Sequence, residues 1–320
     1  VQNGDLLMHN NDRSIKQADK LLKMPGKMDR GPVDFKSHIV ENEGEVMAIA
    51  SHDVISVPQT MSIQAAVETM TEWGVRRLPV VDAGTRRIKG IIASGDVINF
   101  MGGGEKFRLV TVKHNGNFIA AVNESVREIM TGKVETLAIS SSLALAVSTI
   151  VTKKIGGLPV VDNEGVLRGI LTERDVLKVL RNQKSTLLVE DIMSKNLRAT
   201  HPECTIGNVT RSMSNYRFRR LPVVSDDVLY GIITTTDIVR YLGSGKVFRE
   251  LITGDAKEVM DVSVRELISG DLYTTTPEKN INEVACMMLS KNVGAMPVIS
   301  DSRLIGLLTE YDLLKALMRV

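Results

Sequence analysis

Four times in its 320 residues the chain repeats one phrase: an apolar strand with a proline, a polar turn, a glycine, a short strand and a helix. The copies read LPVVDAGTRRIKGIIASGDVINFM from Leu78, LPVVDNEGVLRGILTERDVLKVL from Leu158, LPVVSDDVLYGIITTTDIVRYL from Leu221 and MPVISDSRLIGLLTEYDLLKAL from Met296. Such repetition restricts the fold strongly, because each copy must be one supersecondary unit and the copies must cover one another. Pro79, Pro159, Pro222 and Pro297 fix the alignment, and sixteen residues before them stand Ile63, Leu143, Ile206 and Ile281. From there apolar residues recur at i, i+4 and i+7, as in Ile63, Val67 and Met70, or Leu143, Val147 and Ile150, or Ile281, Ala285 and Met288. That spacing predicts one buried face of a helix. Repeat three is weaker, with Thr210 between Ile206 and Met213.

Each proline is expected to open a strand, where its missing N–H costs least. A glycine (Gly90, Gly169, Gly231, Gly306) then precedes a second strand, and six residues later comes an aspartate: Asp96, Asp175, Asp237 or Asp312. A second helix follows, with Ile238, Tyr241 and Leu242 on its apolar face in repeat three. Each unit is therefore β-α-β-β-α and about 55–60 residues long. A unit of that size buries too little surface alone, so neighbours should pair. The connectors FMGGGEKFRLVTVKHNGNFIAAVNESVREIM and YLGSGKVFRELITGDAKEVMDVSVRELI follow repeats one and three and resemble each other. The chain thus reads as a duplicated two-repeat module. The first spans 45–182, with repeats at about 45–102 and 126–182, and the second spans 183–320, with repeats at about 189–243 and 264–320. Two pseudo-twofold pairs packed into a flattened disc are expected. One chain can complete that disc, as a monomer or within a homodimer.

Residues 1–44 carry seven basic and seven acidic side chains and read as an irregular lead-in or a short helix, not a basic arm. Hydrophobic residues make up 43%, charged residues 24%, and the net charge is +2, the profile of a globular protein without a general polyanion partner. No apolar run approaches the roughly 18 residues that span a membrane, and the N-terminus lacks a secretory apolar core, so a cytoplasmic location without a membrane partner is expected. Cys204 and Cys286, without metal-ligand spacing, read as reduced, buried thiols.

The LPVVD strand, the GILTERD turn and the fourfold copy resemble CBS domains, named after cystathionine β-synthase; two in tandem form a Bateman module. The resemblance covers nearly all of 45–320. It extends to stand-alone archaeal and bacterial CBS proteins and to the gamma subunit of AMP-activated protein kinase, which the chain also resembles. It implies an α+β fold of four repeats and a regulatory role without catalysis.

By its own chemistry, Thr172-Glu173-Arg174-Asp175 is a helix capping box, and Thr234–Asp237 and Thr309–Asp312 fit equally well. A helix N-terminus also attracts anions, and an aspartate beside it can accept hydrogen bonds from the two hydroxyls of a ribose. The family pattern of glycine, apolar residues, Ser or Thr, two residues and Asp implies ribose binding by Asp96, Asp175, Asp237 and Asp312, with Thr172, Thr234 and Thr309. Repeat one departs, with Ala93 at the threonine position and Ser94 one place late. Before the proline strand, repeats one and three carry Arg76-Arg77 and Arg219-Arg220, where repeats two and four carry Gly156-Gly157 and Gly294-Ala295. A basic pair is ordinarily a solvated surface feature, but arginine also suits phosphate oxygens. In the kinase gamma subunit this location contacts phosphate, which implies the same for these four arginines. The small residues opposite leave room for a ligand or let two units pack closely. Thr136, Thr200 and Thr276 are weaker candidates for base or phosphate contacts; β-propensity and N-capping account for them equally well.

The leading expectation is a sensor of AMP, ADP or ATP that signals to an unidentified regulated protein and needs no cofactor or metal. The arginines favour phosphorylated ligands over S-adenosylmethionine. A scaffold without nucleotide is the alternative, and a nucleic-acid partner finds no basic aromatic surface to support it. His9, His38, His52, His114 and His201 are scattered, with no nucleophile, paired acid and base, or metal constellation, so an enzyme is not expected. Repeat three alone joins the arginine pair to the full Thr-x-x-Asp motif. Its Arg219, Arg220, Thr234 and Asp237, aided by repeat four, are the expected best phosphate-bearing site.

Overall fold

In every repeat the long helix ahead of the proline strand begins at the residue the spacing predicts. These are α2 (Ile63–Glu72), α5 (Leu143–Lys153), α8 (Ile206–Tyr216) and α12 (Ile281–Ser290), each behind a capping side chain: Ser62, Ser142, Thr205 and Asn280. The computed structural model describes residues 44–181, 185–226, 228–268 and 272–317, so all of the lead-in except Gly44 lies outside the described residues. Repeat one comprises α1 (Glu45–Ile49), β1 (Val57–Pro58), α2, β2 (Arg77–Val81), β3 (Ile88–Ala93) and α3 (Ser94–Ile98). After α4 (Phe118–Val122) in the connector, repeat two follows with β4 (Leu137–Ala138), α5, β5 (Gly157–Val161), β6 (Leu167–Thr172) and α6 (Glu173–Leu180). Repeat three has α7 (Val189–Ile192), α8, β7 (Arg220–Ser225), β8 (Val228–Thr234) and α9 (Thr235–Gly243). The second connector holds α10 (Lys246–Glu250) and α11 (Ala256–Met260). Repeat four then adds α12, β9 (Ala295–Ser300), β10 (Arg303–Thr309) and α13 (Glu310–Leu317).

The fold is α+β, built on four small sheets whose core is an antiparallel hairpin. β1 and β4 extend two hairpins in parallel, while Thr200 and Thr275 make one-residue parallel bridges to Val223 and Val298 at the same places. The prolines are the third residue of each strand, not the first, because the strands begin at the residues before Leu-Pro or Met-Pro. In an extended strand a residue's N–H and C=O point to the same side. Pro222's carbonyl accepts the Thr200 N–H at 2.8 Å, so its missing donor falls on the side of the short parallel neighbour and the hairpin loses nothing.

Repeats pair by exchanging their lead-in segments. Ser51, ahead of β1, pairs with Ile170 on β6, and Thr131, ahead of β4, pairs with Ile91 on β3; Ser194 and Leu307 repeat the contact between repeats three and four. This explains the glycine after each turn. A Cβ on Gly90 would stand 2.6 Å from Met130 Sδ, one on Gly231 would stand 2.5 Å from the Ile268 side chain, and one on Gly306 would collide with Met193.

Helices then join the two pairs. α2 packs on α9, the end of α3 packs on α8, and α6 packs on α13. A single core runs through repeats one and three, including Val67, Met70, Ile98, Met213, Ile238 and Leu242. Leu314 of repeat four completes the core of repeat two, and Leu177 of repeat two completes that of repeat four. The helix interface of repeats one and three is tight. A Cβ on Gly243 would lie 2.8 Å from the Val67 carbonyl, and one on Gly103 would lie 2.6 Å from that of Thr210. The two connectors meet as well, at the antiparallel bridge between Asn117 and Asp255.

Two further expectations change. Cys286 is exposed and Cys204 half-buried, because α12 turns Cys286 away from the face that carries Ile281, Ala285 and Met288. Thr210 is fully buried rather than a weak point. It donates to the Met101 carbonyl at 3.0 Å, where the chain reverses through Gly102 with φ 96°. Thr210→Val keeps the shape but leaves that carbonyl unpaired, and should cost about 1–3 kcal/mol in urea denaturation. Exposed Thr152→Val, on α5, should cost far less.

Candidate anion-binding site

The capping boxes form. Thr172, Thr234 and Thr309 each donate their hydroxyl to Oδ2 of Asp175, Asp237 and Asp312 at 2.6 Å, and their backbone N–H groups donate to the same oxygen at 2.8–3.0 Å. One carboxylate oxygen is thus committed to starting the helix. In repeats two and three the other oxygen, Oδ1, meets a cation one turn on: Lys178 at 3.0 Å and Arg240 at 3.3 Å. Both cations are more than half exposed, so these pairs are weak and displaceable. Repeat one retains only the backbone half of the box, with the Ala93 N–H on Asp96 Oδ2 at 2.7 Å.

The residue after the cap alternates along the chain: Ser94, Glu173, Thr235, Glu310. In repeats one and three it is a small hydroxyl, and Thr235 donates to Ser94 at 3.1 Å across the helix interface. In repeats two and four it is a glutamate, and each glutamate reaches diagonally across the molecule. Arg76 of repeat one binds Glu310 of repeat four at 3.1 Å, and Arg219 of repeat three binds Glu173 of repeat two at 2.8 Å. Arg174 adds a second hydrogen bond to Glu310 at 2.8 Å and also contacts Asn292.

The second arginine of each pair behaves differently. Arg220 donates to the Gly294 carbonyl at 2.7 Å, and Arg77 lies against Gly156 and Gly157. A Cβ on either of those glycines would sit 2.5 Å from Arg77's guanidinium. The small residues of the even repeats therefore make room for arginines of the odd ones. Among the described residues, neither Arg77 nor Arg220 has a carboxylate partner. Burial, reinforced by Arg76, pushes both down to about 10, which still leaves them charged at neutral pH.

These groups surround one cavity of about 620 Å³ lined by all four repeats. Six guanidinium groups (Arg76, Arg77, Arg174, Arg219, Arg220 and Arg240) line it with three carboxylates (Asp53, Asp175 and Asp237), and counting Glu173 and Glu310 behind them still leaves positive charge in excess, which suits a polyanion. Glu173 Oε1 is buried without a hydrogen bond, so the carboxylates are not saturated either. Burial alone would raise Glu310's pKa, but Arg76 and Arg174 hold it below the usual carboxylate range. Burial raises Asp237 and Asp312 against the pull of their threonines.

Arg76, Arg77, Arg219 and Arg220 come together in the cavity wall, and so do Thr172, Asp175, Thr234 and Asp237. Asp96, Thr309, Asp312, Thr136, Thr200 and Thr276 do not line it. Thr276 is exposed, and its neighbour Thr275 is the true counterpart of Thr200. The residues that sequence reasoning missed are Arg174, Glu173 and Glu310. Their signal is the alternation itself, since a glutamate follows the cap only where the arginine pair is missing. Among the described residues no group of His, Cys, Asp and Glu could hold a metal, and no helix is long and apolar enough to cross a membrane.

The CBS domain family model matches residues 45–103, 126–182, 189–244 and 264–319. The chain belongs to the CBS-domain family. Uncharacterized protein MJ1225 of Methanocaldococcus jannaschii is 39% identical over 273 residues, covering 84% of this chain and 98% of its own. Its crystal structure superposes with a TM-score of 0.81 over 85% of this chain and 99% of that one, and it is described as a proposed archaeal homologue of g-AMPK. An uncharacterized 33.4 kDa protein of Thermofilum pendens is 29% identical over 265 residues, which is 82% of this chain and 88% of that protein. A conserved protein from Pyrococcus horikoshii, 21% identical with a TM-score of 0.53 over 85% of this chain and 99% of its own, shares the fold.

The diagonal ion pairs that tie the CBS repeats together make a pH prediction. Glu310's folded pKa lies below its unfolded value of about 4.3, so its contribution is full above that value and fades as pH falls through the folded pKa. Asp237 and Asp312 have the opposite sign: acid relieves the cost of their buried charge. Glu310→Gln strands Arg76 and Arg174, and should lose about 3 kcal/mol at pH 7 in denaturant titrations. It should also flatten the loss of stability below about pH 4.3 relative to the wild type.

Proposed function

We propose that this CBS protein is a non-catalytic sensor of adenine nucleotides such as AMP, ADP or ATP, with its two modules at 45–182 and 183–320. The observation that carries this reading is that Arg77 and Arg220, cations without carboxylate partners, face the same cavity as Asp175 and Asp237. Ribose hydroxyls at those aspartates would displace the exposed Lys178 and Arg240. The phosphates would then meet the inner arginines. The resemblance to a relative described as a proposed homologue of g-AMPK supports the same class of ligand. An S-adenosylmethionine-type ligand, being cationic at sulfur, fits a surplus of guanidinium groups less well.

This reading divides the four arginines into two roles. Arg76 and Arg219 hold the glutamates of the opposite pair, and Arg77 and Arg220 hold the phosphate. In calorimetric titration Arg77→Ala and Arg220→Ala should weaken AMP about tenfold or more, equal to about 1.4 kcal/mol, while sparing adenosine. Arg76→Ala should act first on stability. Equal AMP affinity in wild type and both inner-arginine variants would overturn the assignment.

The complete capping boxes favour a second reading, a scaffold that needs no ligand. The two are separated by Asp237→Asn, whose amide oxygen can keep the box with Thr234 while its NH₂ replaces the outward acceptor. The sensor reading expects a near-wild-type melting temperature with AMP weakened by about 1.5–3 kcal/mol. A scaffold expects no binding of AMP in either protein.

A further inference from the structure

Asp96 is the counterpart of Asp175, Asp237 and Asp312, but its outward oxygen is not left to an exposed neighbour on its own helix. Oδ1 forms an ion pair with Lys106, which lies ten residues further on in the connector. The Lys106 side chain is 25% exposed, against 57% for Lys178 and 58% for Arg240. The backbone fixes it there. Gly102 reverses the chain with φ 96°, and the Lys106 N–H donates to Asn99 Oδ1 at 2.7 Å. A side chain on Gly104 would collide with the Asn99 amide, its Cβ lying 2.5 Å from the amide nitrogen, and would push that amide off the Lys106 N–H.

The position of this contact is telling. Thr131 donates to the same Asp96 oxygen at 3.3 Å. By the sheet pairing, Thr131 against Ile91 corresponds to Ser51 against Ile170. Ser51 and Asp175 line the open cavity, whereas their counterparts Thr131 and Asp96 are bonded to each other, and Asp96 also to the Lys106 ammonium group. The cleft of repeat one is therefore filled by the chain at the point where the cleft of repeat two stands open.

We propose that repeat one carries a latent ribose site that Lys106 occupies, a lock built into the connector that keeps one adenosyl position closed. This rests on the nucleotide reading above. The connector that closes the lock also bonds to the second connector through Asn117 and Asp255.

Two measurements test it. In the first, AMP is titrated calorimetrically into wild type and Lys106→Met. One additional equivalent bound by the variant is the expected result. Binding by the wild type with unchanged stoichiometry in a folded Lys106→Met overturns the lock and leaves the nucleotide reading standing. Absence of binding in both overturns the nucleotide reading, and with it the ligand assigned to repeat one. The second needs no ligand and no lysine variant: acetic anhydride footprinting read by mass spectrometry. Lys106 should acylate at least tenfold more slowly than exposed Lys133 and Lys257, and Asp96→Asn should remove most of that protection. Equal reactivity in the wild type overturns the lock.

Discussion

A single unit of this chain cannot cover its own surfaces. Its hairpin leaves one side of the sheet open, and its two helices leave an apolar face open. The first is closed by the lead-in segment of the neighbouring repeat, pressed against the hairpin glycine. The second is closed by helices of the opposite pair. Four units satisfy both demands in a closed cycle: one to two and three to four through strands, one to three and two to four through helices. A mixed core such as that of repeats one and three means that the pairs do not have independent interiors.

That cycle has a centre, and its charge pattern follows from the alternation of sequence types. Odd repeats bring arginine pairs and small hydroxyls, while even repeats bring glycines and glutamates. Arg76 and Arg219 are matched by Glu310 and Glu173 on the diagonal, the contact that links repeats otherwise joined by neither strands nor helices. Arg77 and Arg220 have no carboxylate at ion-pair distance in the wall of the cavity and feel Glu173 and Glu310 only from further off. Desolvating unpaired cations is expensive, and a fold that keeps two of them facing an open space has a place for an anion.

The four aspartates share one local structure and differ in what surrounds them. The capping role is common, since every Asp uses Oδ2 to start its helix. What Oδ1 meets is particular to each repeat: an exposed cation in repeats two and three, and the held Lys106 in repeat one. The same motif is thus structural everywhere and open to a ligand only where the surroundings permit. A helix cap and a binding group are not competing explanations here, because each takes a different oxygen.

The sequence by itself determined the repeats, the start of each long helix ahead of a proline strand, the α+β class and the family, because these depend on local spacing: period 3.6, turn glycines and caps. It also marked the arginine pairs and the Thr-x-x-Asp boxes as the places to look. It did not show that Thr210 is a buried donor, since its acceptor lies 109 residues away on Met101. Nor did it distinguish Arg76 from Arg77, which are adjacent in the chain. Arg76 sits in the bend before β2 and Arg77 is the strand's first residue, so one reaches a glutamate on the diagonal and the other a glycine next door. Only the tertiary structure decided which aspartates share a cavity and which is closed by Lys106. Those facts depend on distances between segments far apart in the chain, and local spacing carries no record of them.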